Sequence, residues 1–192
     1  MKKFLLGLIL SISLGCFAVP HSSIQPIQYI NDDKEVINIC ASFSINQEQG
    51  FWLTAGHCAH EGTMVHGQII KYIFINEEED LALFEDTHRP ALKLAIGPAP
   101  AGEDVVILGY PHGSLDIIPF FGKSSGPNIR MTRKGVPTDL YNVLALPGDS
   151  GGPILDSSGR VVGLGHMSTQ SGAAYGWTYE SLKRIAGPFW EK

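Results

Sequence analysis

The chain has 192 residues, of which 44% are hydrophobic and 17% are charged, and its formal net charge is -5 at pH 7. This length allows one hydrophobic core or two small ones. The acidic balance, without a long basic run, excludes a protein that binds nucleic acid through its charge. The 22 glycines and 12 prolines favour many short strands and turns over long helices.

The first residues have the pattern of a secretory signal peptide. Two lysines precede an apolar run over 4–15, and small residues at Cys16 and Ala18 form a small-x-small cleavage site. The run is shorter than the ~20 residues that a membrane span needs, which disfavours a transmembrane anchor. Residues 13–16 also resemble a bacterial lipoprotein cleavage box, in which Cys16 would carry a lipid. We rank simple secretion first, with residues 1–18 removed, and expect a secreted or periplasmic protein without a transmembrane span.

Two cysteines, Cys40 and Cys58, remain after this processing. In an oxidising compartment an isolated pair is better explained by a disulfide than by two free thiols. Such a bond would stabilise the fold by about 3 kcal/mol. The alternative is a zinc site that includes His57 and His60. The spacings typical of zinc ligands are absent, so we expect no metal here.

From about 27 to 177 the sequence has the pattern of β-structure. The stretch 97–102, GPAPAG, is typical of a linker and divides two β-rich halves. Only 178–187 has a helical pattern, which ends at Gly187 and Pro188. These features predict two small barrels with a cleft between them. The runs with the length and β-branched content of strands are 36–45, 50–55, 68–75, 81–84, 104–110, 140–146 and 160–167.

Three segments carry residues that together could cleave an acyl bond. His57 follows the strand pattern of 50–55, Asp80 precedes the apolar run 81–84, and Ser150 lies in a glycine-rich loop. A serine hydroxyl needs a base to take its proton, and histidine has a suitable pKa. The imidazole then needs an acid to hold its orientation and tautomer. Asp80 ends a run of acids, which is usually a solvated face, but it directly abuts the apolar run 81–84, which would draw it inward, and Glu79 is the alternative acid.

The motifs TAGHC, DLALF and GDSGGP resemble the three signature segments of the chymotrypsin-like (trypsin-like) serine peptidases. The segments 147–164 and LGYP resemble the bacterial branch that includes glutamyl endopeptidases and high-temperature-requirement proteases. This resemblance covers most of the mature chain. It implies an all-β fold of two six-stranded antiparallel β-barrels with a short C-terminal helix. The first barrel would occupy 19–98 and the second 99–192, and Cys40 would pair with Cys58 beside the histidine.

The resemblance also implies a role for each residue of the site. His57 would be the general base, Asp80 would orient it, and Ser150 would be the nucleophile. The backbone N–H groups of Gly148 and Ser150 would form the oxyanion hole, for which the glycines give the loop its shape. Asp149 is assigned to loop structure. No cofactor and no metal are expected.

Specificity is predicted from Leu144, six residues before the nucleophile, where trypsin-type enzymes hold an acid. We therefore expect weak cleavage after Lys or Arg and a preference for apolar or small residues. Glutamate-preferring relatives carry Thr or Ser at the position of Ala145 and a histidine near His166. The stretch GLGH is one residue longer than the usual GIH or GLH, and a one-residue shift turns a side chain to the other face of a strand. Leu144, Ala145 and His166 are the candidate pocket residues.

The sequence thus predicts a secreted serine endopeptidase that hydrolyses protein or peptide substrates through a His-Asp-Ser triad and an acyl-enzyme intermediate. We expect a monomer that lacks an appended peptide-binding domain. The alternative is a catalytically inactive family member that binds proteins through the same cleft, since a fold does not determine a function. An esterase using the same residues is a third reading.

Overall fold

The computed structural model describes residues 19–127, 130–133, 136–168 and 173–191. The predicted signal peptide, 1–18, lies outside these residues. The strands form two sheets that follow each other along the chain. The strands of the first sheet are β1 (Ile24–Ile30), β2 (Val36–Asn46), β3 (Phe51–Ala55), β4 (Met64–Val65), β5 (Gln68–Ile69), β6 (Tyr72–Asn76) and β7 (Leu81–Glu85). The strands of the second are β8 (Asp104–Gly109), β9 (Ile118–Ser124), β10 (Arg130–Arg133), β11 (Val136–Leu144), β12 (Pro153–Leu155), β13 (Val161–Ser168) and β14 (Ala173–Trp177).

The second sheet closes into a barrel. Its strand order is β10-β11-β14-β13-β12-β8-β9, and β9 pairs again with β11, so that six strands form a ring and β10 extends it as a hairpin. The first sheet has the order β5-β4-β1-β2-β3-β7-β6. Among the described residues its outer strands do not pair with each other, so it forms a half-barrel.

The predicted all-β, chymotrypsin-like architecture is confirmed, with the second sheet closed as a barrel and the first open as a half-barrel. The expected six strands are found in the closed ring, whereas the first sheet has seven strands, two of them only two residues long. The prediction over 68–75 combined β5 and β6 into one strand. Strand β11 begins at Val136, ahead of the predicted 140–146.

Helix α1 spans Tyr179–Ile185 and lies within the predicted helical segment. Thr178 caps it, because its side chain accepts a hydrogen bond of 3.0 Å from the backbone N–H of Ser181. In the part of the chain that the structure describes, no helix combines the length and apolarity needed to cross a membrane.

The residues after α1 return to the first sheet. Phe189 packs edge-on against Phe51, and the indole N–H of Trp190 donates to the carbonyl oxygen of Leu92 over 2.7 Å. Trp190 also joins a hydrophobic core that includes Phe43. The C-terminal segment thus fixes the first sheet against the second half of the chain by burying aromatic surface.

The predicted disulfide between Cys40 and Cys58 is confirmed. It joins β2 to the turn that carries His57 and closes a short loop, with a sequence separation of 18. Neither sulfur is therefore available as a zinc ligand. The bond holds the histidine turn against the first sheet.

Candidate active site

The three predicted catalytic residues come from loops at the ends of strands. His57 lies in the turn directly after β3, Asp80 directly precedes β7, and Ser150 lies in the loop before β12. The two halves of the chain are joined here, because the backbone N–H of Ala41 donates to the carbonyl oxygen of Ser150 over 2.8 Å. This bond places the serine loop beside the first sheet.

Gly56 lets the histidine turn lie directly on the backbone of Asp80. A Cβ atom at Gly56 would be 2.8 Å from the carbonyl carbon of Asp80 and 2.9 Å from its Cα, which real contacts do not reach. Asp80 itself has a φ of 46°, in the left-handed region that Asp tolerates better than most residues. The glycine of TAGHC is thus required by this close approach.

His57 and Asp80 form the pair that the sequence predicts. His57 Nδ1 is 2.8 Å from Asp80 Oδ2, and the backbone N–H of His57 donates to Asp80 Oδ1. One carboxylate oxygen therefore contacts the imidazole, and the other holds the backbone of the same residue. The alternative acid, Glu79, instead pairs with Arg184 on α1. The geometry thus places Asp80, not Glu79, at the histidine.

A second histidine contacts the same carboxylate. His166 is buried, and its Nδ1 contacts Asp80 Oδ2. Its ring lies 5.1 Å from the ring of Trp177, whose indole N–H donates to the carbonyl oxygen of Asp80 over 3.2 Å. Burial raises the pKa of Asp80, but hydrogen bonds from His166 and His57 and the charges of these imidazoles outweigh it. The net pKa of Asp80 lies well below its ordinary value.

A β-bulge in β13 explains the position of His166. Gly165 pairs with Gly176 and Met167 with Tyr175, so His166 is the extra residue on its strand. A bulge of this kind re-aims a side chain relative to a regular strand. The bulge accommodates the additional residue of GLGH, and it brings the imidazole of His166 into contact with Asp80. His166 was predicted as a pocket residue. In the structure it is 2% exposed and contacts Asp80.

The hydroxyl of Ser150 faces the second barrel. Its Oγ donates to the carbonyl oxygen of His166 over 3.3 Å. Within the described part of the chain it makes no hydrogen bond with His57. The hydroxyl must therefore exchange the His166 carbonyl oxygen for His57 before its proton can be taken. Such catalytic contacts often form only when substrate is bound.

The loop before Ser150 requires glycine at Gly148. Its φ is 104°, and a Cβ atom there would lie 2.1 Å from the carbonyl oxygen of Tyr110. Among the described residues, the N–H groups of Gly148 and Ser150 donate to no protein acceptor. Two free donors beside a serine can bind an oxyanion.

Asp149 is buried between these two residues. Its Oδ2 accepts a hydrogen bond of 2.8 Å from the backbone N–H of Leu146, whereas Oδ1 has no partner among the described residues. Burial raises the pKa of Asp149 to about 6, although the Leu146 bond and the charge of His112 act in the opposite direction. The predicted structural role of Asp149 therefore includes a buried carboxylate that is costly to ionise.

We expect Asp149→Asn to change how stability depends on pH. The pKa of Asp149 is about 6 in the folded protein and 3.8 ordinarily, so the folded state holds a proton that the unfolded state has lost between these values. This group therefore lowers stability as pH rises from about 4 to 6. At pH 8 its removal should stabilise the fold by up to about 3 kcal/mol, less the cost of burying the new amide. Urea unfolding at pH 4.5, 6 and 8 measures this.

Asp104→Asn is the matched control, because Asp104 is an exposed carboxylate paired with Lys123. It should leave the pH dependence of stability near that of the unmutated protein. If the stability curves of the Asp149→Asn variant and the unmutated protein stay parallel across this range, Asp149 does not titrate there.

The other two candidate pocket residues have different surroundings. Leu144 ends β11 and is 45% exposed, and it pairs with Ala173 on β14. Ala145 is buried in the hydrophobic core of the second barrel. The neighbouring residues 169–172 lie outside the described residues. Leu144 is thus accessible to a ligand, whereas Ala145 faces the core.

Comparisons with known proteins agree with the fold and the motifs. A family model described as "Trypsin-like peptidase domain" matches residues 40–164. Serine protease Rv3671c and Serine protease MT3772, from two strains of Mycobacterium tuberculosis, are each 38% identical to this chain over 94 residues. The aligned part is 44% of this chain but only 24% of each relative.

Solved structures show the same fold. The active form of the Rv3671c protease from M. tuberculosis matches with a TM-score of 0.72 and 22% identity, over 87% of this chain and 80% of that one. The HtrA-type protease AlgWS227A with a tripeptide matches with a TM-score of 0.70 and 15% identity, over 88% of this chain and 60% of that one. Because the family model covers more than half of the sequence, the chain belongs to the family of trypsin-like peptidase domains.

Proposed function

We propose that this protein is a secreted serine endopeptidase in which His57, Asp80 and Ser150 form the catalytic triad. The observation that carries the proposal is the His57–Asp80 pair beside a serine loop with two free N–H donors. Family membership supports serine-type peptidase activity. The disulfide supports an oxidising compartment, as secretion would provide. Its substrates are proteins or peptides.

Acylation begins with the hydroxyl of Ser150. Ser150 Oγ turns from the His166 carbonyl oxygen toward His57 Nε2, which takes its proton as the Oγ–C bond forms to the scissile carbonyl. The electron pair of the C=O bond moves onto oxygen, where the N–H groups of Gly148 and Ser150 hold it. His57 then gives its proton to the leaving amine as the C–N bond breaks. Asp80 holds the Nδ1–H tautomer throughout.

Deacylation uses the same residues. A water molecule takes the place of the released amine and gives its proton to His57 as its oxygen bonds the acyl carbon. The Oγ–C bond then breaks and Ser150 recovers the proton, so no cofactor is consumed. His57 is 42% exposed at its side chain, which leaves the base accessible to substrate and water.

Labelling with a fluorophosphonate tests this function, since the probe reacts with a serine that a neighbouring base activates. We expect the purified, disulfide-bonded protein without residues 1–18 to be labelled, and Ser150→Ala to remain unlabelled. The exposed serine variant Ser158→Ala is the control and should label normally. If the folded protein does not react with the fluorophosphonate when no competing peptide is present, the result would support the alternative of an inactive protein that binds other proteins.

We propose that Leu144 contributes to the primary specificity pocket. An apolar side chain of 45% exposure has no charge to pair with a lysine or arginine of the substrate. We therefore expect cleavage mainly after apolar or small residues, with weak cleavage after Lys and Arg. Digestion of a peptide library followed by mass spectrometry measures this. Dominant cleavage after Lys or Arg would rule the proposal out. Leu144→Asp should shift the preference toward basic residues.

A further inference from the structure

Three potential metal ligands converge behind the catalytic serine. One ligand atom from each of His57, Asp80 and His166 lies within 4.8 Å of the other two. The three residues come from the turn after β3, the start of β7 and the bulge of β13. They are distant in sequence, which is why ligand spacing gave no sign of a metal site. The site therefore exists only in the folded protein.

The donor set has the chemistry of a zinc site. Two imidazole nitrogens and one carboxylate oxygen are ligands that Zn²⁺ prefers, and three protein ligands leave a fourth position for water. A second group, formed by His57 with Cys40 and Cys58, has the same proximity. Both of its sulfurs are held in the disulfide, so it offers no thiolate. Of these two clusters, both found among the described residues, the His57–Asp80–His166 cluster is the one whose ligand atoms are free of a covalent bond to each other, and its imidazoles can bind an ion once the Nδ1 protons move to Nε2.

We propose that the His57–Asp80–His166 cluster binds Zn²⁺ and that this binding inhibits the peptidase. Binding needs only the geometry of the three ligands, whereas inhibition also rests on the proposed function. A metal on Nδ1 of His57 moves the ring proton to Nε2, because a neutral imidazole carries a single proton on one nitrogen. Nε2 then has no lone pair to accept the proton of Ser150. The ion acts by fixing the wrong tautomer of the base.

The cluster combines a rigid ligand with an accessible one. The side chain of His166 is 1% exposed and that of Asp80 16%, whereas that of His57 is 42% exposed. The ring of His166 is held beside that of Trp177 at 5.1 Å. An ion would enter from the side of His57, the most exposed of the three ligands, and the 2.8 Å contact between His57 Nδ1 and Asp80 Oδ2 would widen to admit it. Asp80 contributes a negative charge between the two imidazoles, which favours a divalent cation.

Zinc binding is tested first in Ser150→Ala, so that peptidase activity plays no part. Competition of the disulfide-bonded protein with a chromophoric zinc chelator should show one ion bound per chain. Adding His166→Asn to the Ser150→Ala protein should weaken Zn²⁺ binding by a factor of about 10 to 100 or more. Loss of a residue that only hydrogen-bonds a metal ligand already has an effect of this size. The matched control is His66→Asn. His66 pairs with Asp86 at 3.1 Å but has no third ligand among the described residues, so zinc affinity should not change.

Cobalt gives a second readout that needs no substitution of a ligand. Co²⁺ in the Ser150→Ala protein should show the strong visible absorption of a four-coordinate site, and Zn²⁺ should displace it. Weak six-coordinate absorption, or equal zinc affinity of the His166→Asn and His66→Asn variants, would overturn the site. The cobalt measurement tests the site even if the His166→Asn variant folds poorly, because it is made on protein with all three ligands intact.

Inhibition is measured separately in the protein with Ser150 intact. Zn²⁺ should slow fluorophosphonate labelling, and a chelator should restore it. Zinc that binds the cluster without slowing the labelling of an otherwise active protein would overturn the inhibition. Absence of labelling before zinc is added would count against the proposed function and leave the binding result standing.

Discussion

His57→Ala is expected to lower kcat for peptide hydrolysis by about a millionfold, since loss of the base in a serine triad costs about as much as loss of the whole triad. Ser150 would then have no base to take its proton, because the hydroxyl contacts only the backbone carbonyl oxygen of the buried His166, which is not basic. Steady-state hydrolysis of a chromogenic peptide measures the loss. The value of KM should change far less than kcat.

His66→Ala is the control for this prediction, because His66 makes the same kind of contact with an aspartate, but with Asp86 instead of Asp80. It should retain the activity of the unmutated protein. Circular dichroism should show both variants folded. A folded His57→Ala protein that keeps a tenth of its activity would exclude His57 as the base.

Asp80→Asn should lower kcat by about ten-thousandfold, the size of effect found when the triad acid becomes an amide. Asp80 accepts from both His57 Nδ1 and the backbone N–H of the same residue. An asparagine has one oxygen for these bonds, and its NH₂ group would favour the imidazole tautomer that cannot accept a proton at Nε2. The substitution preserves the shape of the side chain. Peptide hydrolysis at pH 8 gives the readout.

Glu79→Gln is the matched substitution at the neighbouring acid. Glu79 pairs with Arg184 and does not contact His57, so kcat should change by less than a factor of about three, since the contacts of His57 with Asp80 are kept. Equal losses in the Glu79→Gln and Asp80→Asn variants would contradict the assignment of the acid. The two variants thus decide between the acids that the sequence leaves open.

The motif segments could be predicted because each combines a strand with a required backbone shape. TAGHC follows an apolar run, and its glycine permits the contact with Asp80. Strands β1 and β9 were not predicted, since they contain Pro26 and Pro119, and proline in a run argues against a strand. In the structure Pro26 nonetheless pairs in register with Ala41. Tertiary contacts therefore overrode the local signal.

The contact of His166 with Asp80 could not be predicted from the sequence. Counting along GLGH shows one extra residue, but the count does not show whether the strand shifts its register or forms a bulge. The pairing of Gly165 with Gly176 and of Met167 with Tyr175 decides for a bulge. The position of His166 beside Asp80 depends on this pairing, which involves residues far apart in the chain.

The return of the C-terminal segment to the first sheet has a consequence for folding kinetics. Asn46 donates through its side chain to the carbonyl oxygen of Phe189, a contact that spans 143 residues, and Trp190 bonds Leu92 across 98. Contacts of such long sequence separation close large loops, and chains that depend on them fold slowly. The first sheet therefore completes its packing only after Phe189 and Trp190 have docked against it. Docking of the aromatic side chains that follow α1 is therefore expected to be a late and slow step of folding.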